Sequence, residues 1–586
     1  MSGVSGKILD SSLLKRVMAF TRPYRKVFWT AAVSTLLLGV VGPARPWLIQ
    51  YTFDHYVVMP DPIGLLNMTI AMVALLVMQA LLEFLQTYSA NRLGQTVVRD
   101  LRKKTFRHLS ELRLRYFDRT PIGTVVTRAV SDMESIAEIF SDGLLVIFGD
   151  IMQLLMIIGS MVYMSWKLTL FSLSVMPILI LATWIFKNGI RSAFQDVRTQ
   201  VARLNAFVQE HVVGMSVVQI FGMEDEEYAK FQTINKAHRK AHIKSVWYYS
   251  IFLPVVEILS AISIGVMVWW GAKEAILGLD NGVTLGKMLA FIFFIYALFR
   301  PIRQLADKFN TLQMGMVASE RVFALLDIQD ATEDTGQQHL VDLKGQIAFR
   351  DIWFAYNDED WILKGISFDV KAGETLAIVG ATGAGKSTII NILGRYYDYA
   401  RGSIRIDDAD IHQLPLAELR KNVGVVLQDV FLFSDTIYNN ITLYDPDITP
   451  ERVEEAARVV GAHAFISRLP GGYDYNVRER GGMLSVGQRQ LISFIRAYVH
   501  DPRILVLDEA TSSVDTESEE LIQYAISRLT ENRTSIVIAH RLATVRQADQ
   551  ILVLDHGQVV ERGSHDELLR HNGAYKRLYE LQFREA

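Results

Sequence analysis

Six runs of apolar residues dominate the first half of the chain, each near the roughly 20 residues that a helix needs to cross a bilayer. They fall at about 27–49, 64–87, 143–165, 168–187, 247–271 and 284–304. The clearest read TIAMVALLVMQALLEFL and LLVIFGDIMQLLMIIGSMVYM. Core helices of soluble domains carry shorter apolar stretches, roughly 10–14 residues, so these runs predict six membrane spans. Only Trp166 and Lys167 separate the third run from the fourth, which predicts a tight helical hairpin there.

Lys and Arg in the connecting segments set the orientation. The N-terminal segment holds Lys7, Lys15, Arg16, Arg22, Arg25 and Lys26, whereas QYTFDHYVVMPDPI after the first span holds none. The second-to-third connection carries Arg99, Arg102, Lys103, Lys104 and Arg107. The fourth-to-fifth connection carries Arg191, Arg198, Arg203, Lys236, Arg239 and Lys240. Both termini are therefore expected on the cytoplasmic side. The first apolar run follows a long charged stretch and lacks a small-residue cleavage site, which argues against a removed signal peptide.

Both basic connections have helical periodicity, as in VVRDLRKKTFRHLSELRLRYF, where apolar residues recur three and four apart. Twenty-five residues of such helix reach roughly 38 Å beyond the membrane. Each connection is expected to turn once, at FDRTPIG and at EHVVGMS. Segment 8–24, basic and amphipathic, fits a helix lying in the inner interface. Glu83, Asp150 and Glu257 fall within spans, where acids serve either function or helix pairing. A net charge of −3 gives no electrostatic case for nucleic acid. The chain has no cysteine, which excludes disulfides and thiolate metal sites.

Composition changes after about residue 325. LDIQDATEDTGQQHLVDLKG is polar and acidic without apolar periodicity and reads as a linker. The expected organisation is a membrane domain over 1–325, a linker over 326–344 and a soluble domain over 345–586. In the last, β-rich runs alternate with helical ones, the pattern of an α/β domain. GETLAIVGATGAGKSTIINIL contains a phosphate-binding loop, Gly380 to Ser387, between a strand and a helix. Glycines there let backbone N–H groups curl around phosphates, Lys386 reaches the β- and γ-phosphates, and the Ser387 hydroxyl can ligate Mg²⁺. A second apolar strand, RILVLDEA, ends in Asp508 and Glu509. Asp508 can hold Mg²⁺ and Glu509 can activate the attacking water.

LSVGQ at 484–488 stands where another amphipathic helix begins. Together with the loop and the Asp–Glu pair, it resembles the ATP-binding cassette (ABC) transporters, whose signature reads LSGGQ. The resemblance implies a cassette with an antiparallel β subdomain and a helical subdomain. It also implies that Ser485, Gly487 and Gln488 grip the γ-phosphate of ATP on a second cassette, so the chain is expected to act as a dimer with itself or a related half-transporter. Thr382, Gly383, Ala384, Gly385 and Thr388 complete the implied ATP-binding set around Gly380, Lys386 and Ser387. Tyr356 resembles the aromatic residue that stacks on adenine. Gln428 resembles the residue that senses Mg²⁺ and faces the membrane domain. Glu479, in RERGG, resembles the exporters' cross-contact; Asp515, in SVD, the dimer-interface acid; and His540 the switch histidine at the γ-phosphate.

Six spans ahead of one cassette is the half-transporter arrangement of the exporters. YFDRTPIGTVVTRAVSDMESI, with Phe117, Gly123, Arg128 and Asp132, resembles their first coupling segment, and EHVVGMSVVQIFGMEDEE the second. Their tips are expected to dock on the cassettes near Gln428. The implied activity is ATP-driven export of hydrophobic or amphipathic compounds by alternating access, from a bacterial inner membrane. A lipid or lipopolysaccharide flippase and an ATP-gated channel are the alternatives. The chain departs from the pattern at Val486, where Gly is commonest, and at SSVD, where SALD is usual.

Overall fold

The computed structural model describes residues 11–277, 283–334, 336–340, 342–357, 359–508, 516–539 and 541–582. The chain divides into two compact units, Met1–Ser110 with Pro121–Ile328, and Glu111–Thr120 with Gln329–Ala586.

The first unit is all-helical. Five helical stretches are long and apolar enough to cross a membrane among the described residues: Arg22–Val57, Pro62–Glu111, Ile122–Met164, Trp166–Val213 and Glu224–Glu274. Leu285–Phe299 is a sixth, shorter apolar stretch, which completes the expected six. The amphipathic N-terminal segment forms α1 (Ser11–Ala19), whose Val17 is buried. Arg16 of α1 donates two hydrogen bonds to Asp327, at 2.8 and 2.7 Å.

Several spans are broken where the sequence supplies a reason. The first ends α2 (Arg25–Val41) at Gly42 and restarts as α3 (Ala44–Thr52) after Pro43, since proline has no N–H to continue a helix. The second span is the membrane half of α4 (Pro62–Glu111). Short helices α5 (Leu114–Arg119), α6 (Ile122–Ala129) and α7 (Ser131–Glu138) lead into α8 (Leu144–Met164). The hairpin between the third and fourth spans does not turn at Trp166 and Lys167. It turns at Ser165, whose backbone is extended and whose Oγ accepts the Leu168 N–H to cap α9 (Trp166–Leu173). A polar side chain that can cap decides the break, and Trp166 and Lys167 form the next first turn.

Helix α10 (Met176–Val213) is followed by α11 (Met215–Ile220) and α12 (Glu224–Leu277). Each cytoplasmic connection thus bends on both sides of a six-residue helix, α5 or α11, rather than turning once. Gly214 and Gly222 flank α11, and Gly222 has φ +61°, a conformation that favours glycine.

Helix α13 (Leu285–Leu326) is the hub. Its Phe291, Phe294 and Leu298 pack with Ile157, Met161 and Val256. Further along, Leu312, Met316 and Val322 pack with Leu93, Val97, Met133 and Phe140. Arg321 donates to the buried Asp132 at 3.0 and 2.5 Å, and Lys308 donates to Asp150 at 2.5 Å. Asp150 therefore pairs helices, one of the two roles open to it. Glu83 lies exposed on α4. At Gly315 the helices approach closely: a Cβ there would lie 2.3 Å from Ile139 Cγ1 and 2.7 Å from the Ser135 carbonyl.

The second unit is α/β. Strands β1 (Ile347–Ala355), β2 (Trp361–Val370), β4 (Arg401–Ile406) and β5 (Ala409–Asp410) form an antiparallel sheet in the order β2-β1-β4-β5. A six-stranded sheet runs β10-β9-β3-β8-β7-β6, built from β3 (Thr375–Gly380), β6 (Val423–Val426), β7 (Ile504–Asp508), β8 (Thr534–Ile538), β9 (Gln550–Asp555) and β10 (Gln558–Gly563). All its pairings are parallel except β9–β10. Every residue of β7 and β8 is buried, as befits central parallel strands covered on both faces. Helix α14 (Lys386–Leu393) follows β3, and α15 (Leu416–Asn422) precedes β6. Between β6 and β7 lies the helical subdomain: α16 (Ile437–Thr442), α17 (Pro450–Val459), α18 (His463–Arg468) and α19 (Val486–Val499).

Substituting Gly315→Ala is expected to cost about 1–3 kcal/mol through overpacking of α13 on α7. The purified protein should show a lower melting temperature than a Gly123→Ala control, since a Cβ at Gly123 meets nothing within 4 Å.

Candidate functional site

The parallel sheet gathers the phosphate loop and the acidic strand end at its C-terminal edge, where ligands of open α/β sheets bind. The loop leaves β3 at Gly380, where a Cβ would lie 2.2 Å from the Leu554 carbonyl oxygen. Gly385, at φ +99°, turns the chain into α14. Lys386 is buried, and its Nζ donates to the carbonyls of Gly380 and Ala381 at 2.8 and 3.0 Å. Burial pushes its ammonium pKa down, and the Asp508 charge opposes that shift. The loop is thus folded on itself, its cation held by its own carbonyls at the N-terminus of α14.

Ser387 Oγ donates to Asp508 Oδ2 at 3.1 Å. The motif residues Ser387 and Asp508, 121 positions apart, therefore meet. A hydroxyl and a carboxylate side by side are hard oxygen donors of the kind Mg²⁺ takes. Gln428 lies exposed just beyond β6. Glu509, Asp515 and His540 lie outside the described residues.

Tyr356 follows β1, half-buried. Its ring stands edge-on to Phe354 and Tyr397, with centroids 4.7 and 5.0 Å away. Its hydroxyl accepts from Asn391 Nδ2 at 3.1 Å and lies 3.4 Å from Thr388 Oγ1. The ring therefore sits against the first two turns of α14, beside the loop.

At the start of α19, Ser485 caps the helix. Its Oγ accepts the Gln488 N–H at 3.2 Å, while Gln488 Oε1 accepts the Ser485 N–H at 3.0 Å, a reciprocal capping box. Gly487 is buried and Val486 is 47% exposed, so the departure from glycine places its side chain outward. Glu479 lies in the exposed turn before it. Arg489 escaped the sequence reading, which has no local sign for it. It donates to the Gly481 and Leu484 carbonyls at 3.4 and 2.8 Å, and so holds the signature turn against its own helix.

The first cytoplasmic tip docks beside Tyr356. In α5, Arg119 donates to the Tyr356 carbonyl at 3.0 Å and to Asn357 Oδ1 at 2.8 Å. The Tyr397 hydroxyl donates to Asp118. Arg113 pairs with Asp398 at 3.2 Å, and Leu112 bridges Ala331 of the linker. The tip's charged residues find their partners beside Tyr356.

Profile comparison matches residues 28–302 to the ABC transporter transmembrane region and residues 363–512 to the ABC transporter family. The chain belongs to the ABC transporter family. An uncharacterized ABC transporter ATP-binding protein of Bacillus subtilis, YknV, is 38% identical over 97% of this chain and 94% of its own. A probable multidrug resistance ABC transporter ATP-binding/permease protein of the same species is 36% identical over 91% and 79%. An ATP-dependent lipid A-core flippase of Thiobacillus denitrificans is 34% identical over 97% and 98%. The protein is an integral membrane transporter of the ABC export type, with its membrane domain fused to its cassette, and it couples ATP hydrolysis to transport.

Arg489→Ala is expected to lower ATPase turnover by about tenfold, a loss of roughly 1.4 kcal/mol of transition-state stabilisation. The KM for ATP should stay within about twofold, because the substitution leaves the Gly380–Ser387 loop untouched. Steady-state ATPase assays in lipid nanodiscs read both values.

Proposed function

We propose that the chain exports amphipathic or hydrophobic compounds from the inner leaflet of a bacterial inner membrane, as a dimer with both termini in the cytoplasm. The observation that carries the reading is the Ser387–Asp508 contact beside the folded phosphate loop, in a chain that also carries the membrane spans. ATP lies along Gly380 to Ser387, with Thr382, Gly383, Ala384, Gly385 and Thr388 contributing and adenine on Tyr356. Ser485, Gly487, Gln488 and Asp515 serve the nucleotide of the partner cassette. Ser387, Asp508 and Gln428 would hold Mg²⁺, which supplies charge neutralisation at the β- and γ-phosphates. Glu509 deprotonates or orients the attacking water and His540 contacts the γ-phosphate.

The driving logic is differential affinity. ATP favours the closed pair of cassettes, and only such a preference can shift the membrane equilibrium. The membrane unit carries an open apolar groove lined by Trp47, Leu48, Tyr51 and Met156, with Ser160 as a polar group. A second reading, a dedicated lipid or lipopolysaccharide flippase, is favoured by the likeness to lipid A-core flippases over nearly the full length of both chains.

Two measurements test this. Glu509→Gln should abolish ATPase activity while a dimeric mass persists in nanodiscs; full activity in that variant, or a monomer that hydrolyses ATP, contradicts the proposal. In proteoliposomes, a lipophilic fluorescent dye and a labelled lipid should separate the substrate classes, since an exporter of drug-like molecules moves the dye in proportion to ATP consumed.

A further inference from the structure

The sequence YYDY at 396–399 gives its three tyrosines three different tasks. The Arg420 guanidinium lies over the Tyr396 ring, and Tyr399 lies against His412. Tyr397 alone joins two elements that matter for transport. Its ring, only 9% exposed, stands at 87° to Tyr356, and its hydroxyl donates to Asp118 at the first cytoplasmic tip. The next tip residue, Arg119, holds the backbone carbonyl of the same Tyr356. Two consecutive residues of α5 thus engage one residue of the cassette, Asp118 through a neighbouring ring and Arg119 through its backbone.

We propose that Tyr397 is a positioning residue that passes occupancy of the nucleotide base at Tyr356 to the first coupling segment, independently of the γ-phosphate contacts. The proposal rests on the reading of Tyr356 as the adenine partner. A base stacked on Tyr356 fixes the plane of that ring. The Tyr397 ring, packed at 87° to it, then has one favoured position, and so does the hydroxyl whose hydrogen bond Asp118 accepts. A phenol–carboxylate hydrogen bond is charge-assisted and roughly twice as strong as a neutral one, so it can carry the constraint to α5. From α5 the path is covalent, because the 50-residue α4 ends at Glu111.

The test uses the full-length protein in nanodiscs. Because the chain has no cysteine, Met59→Cys introduces a single labelling site per chain, at an exposed position. Spin labels there report the change in distance that ATP plus vanadate induces on the membrane side. In Tyr397→Phe, which keeps the ring and deletes the hydroxyl, the KM for ATP should stay within about twofold, while the distance change falls to less than about half. Asp118→Ala should do the same, and the double variant should be no worse than either single one, as expected of two groups in one interaction. Asp118→Asn, which keeps an acceptor oxygen, should restore part of the response. A full distance change in Tyr397→Phe and Asp118→Ala overturns the relay. Tyr356→Ala separates the two readings: an unchanged KM for ATP removes the adenine role of Tyr356, whereas a raised KM with an intact response in Tyr397→Phe removes only the relay.

Discussion

The cassette depends on the turn by which β3 becomes α14. Lys386 is a largely buried cation, and it is tolerated because two carbonyls of its own loop accept from it and Asp508 lies near. That arrangement leaves an exchange ready to happen. A triphosphate would offer the lysine stronger, charged acceptors than backbone carbonyls do, and Ser387, beside it in the first turn of α14, donates to Asp508. Gly385 makes the geometry possible, since a side chain at φ +99° would be strained and its Cβ would lie 2.7 Å from Leu363.

The loop becomes a transporter's engine only because other parts are tied to it. The linker lies along the cassette, with Glu418 accepting from the Leu340 N–H and Asp334 accepting from the Leu416 N–H. The first tip is fixed beside Tyr356. In the membrane unit, α13 holds α7 and α8 through the Arg321–Asp132 and Lys308–Asp150 pairs, and Asp54 accepts from Thr284 and from the Gly286 N–H at the start of the same helix. Arg321 is half exposed, so the Asp132 pair is worth less than a dry one. In the Asp150 pair both side chains are largely buried, Lys308 at 17% and Asp150 at 14% exposed.

Legibility followed the distance over which the physics acts. Lys386, Ser387 and the Ser485 cap were readable because phosphate loops and helix caps are local, set by residue type within a few positions. The membrane spans were readable because their length exceeds any soluble alternative. The break at Ser165 was not, because hydropathy weighs Lys167 as polar and does not see that a serine can cap. Helices α5 and α11 were too short for a periodic pattern, so each double bend read as a single turn. The Asp118–Tyr397 bond spans 279 residues, and nothing near either residue announces the other. The pairing of Asp150 with Lys308 stayed undecided in the sequence for the same reason.

The central claim is that the capped start of α19 belongs functionally to the phosphate loop of another copy. A cysteine pair tests it directly, since the chain supplies none of its own. Thr382→Cys and Val486→Cys in one chain, on a Glu509→Gln background, should give an intermolecular disulfide that forms rapidly with ATP and slowly without it. Crosslinking that ignores ATP, or a disulfide formed only within one chain, would contradict the account.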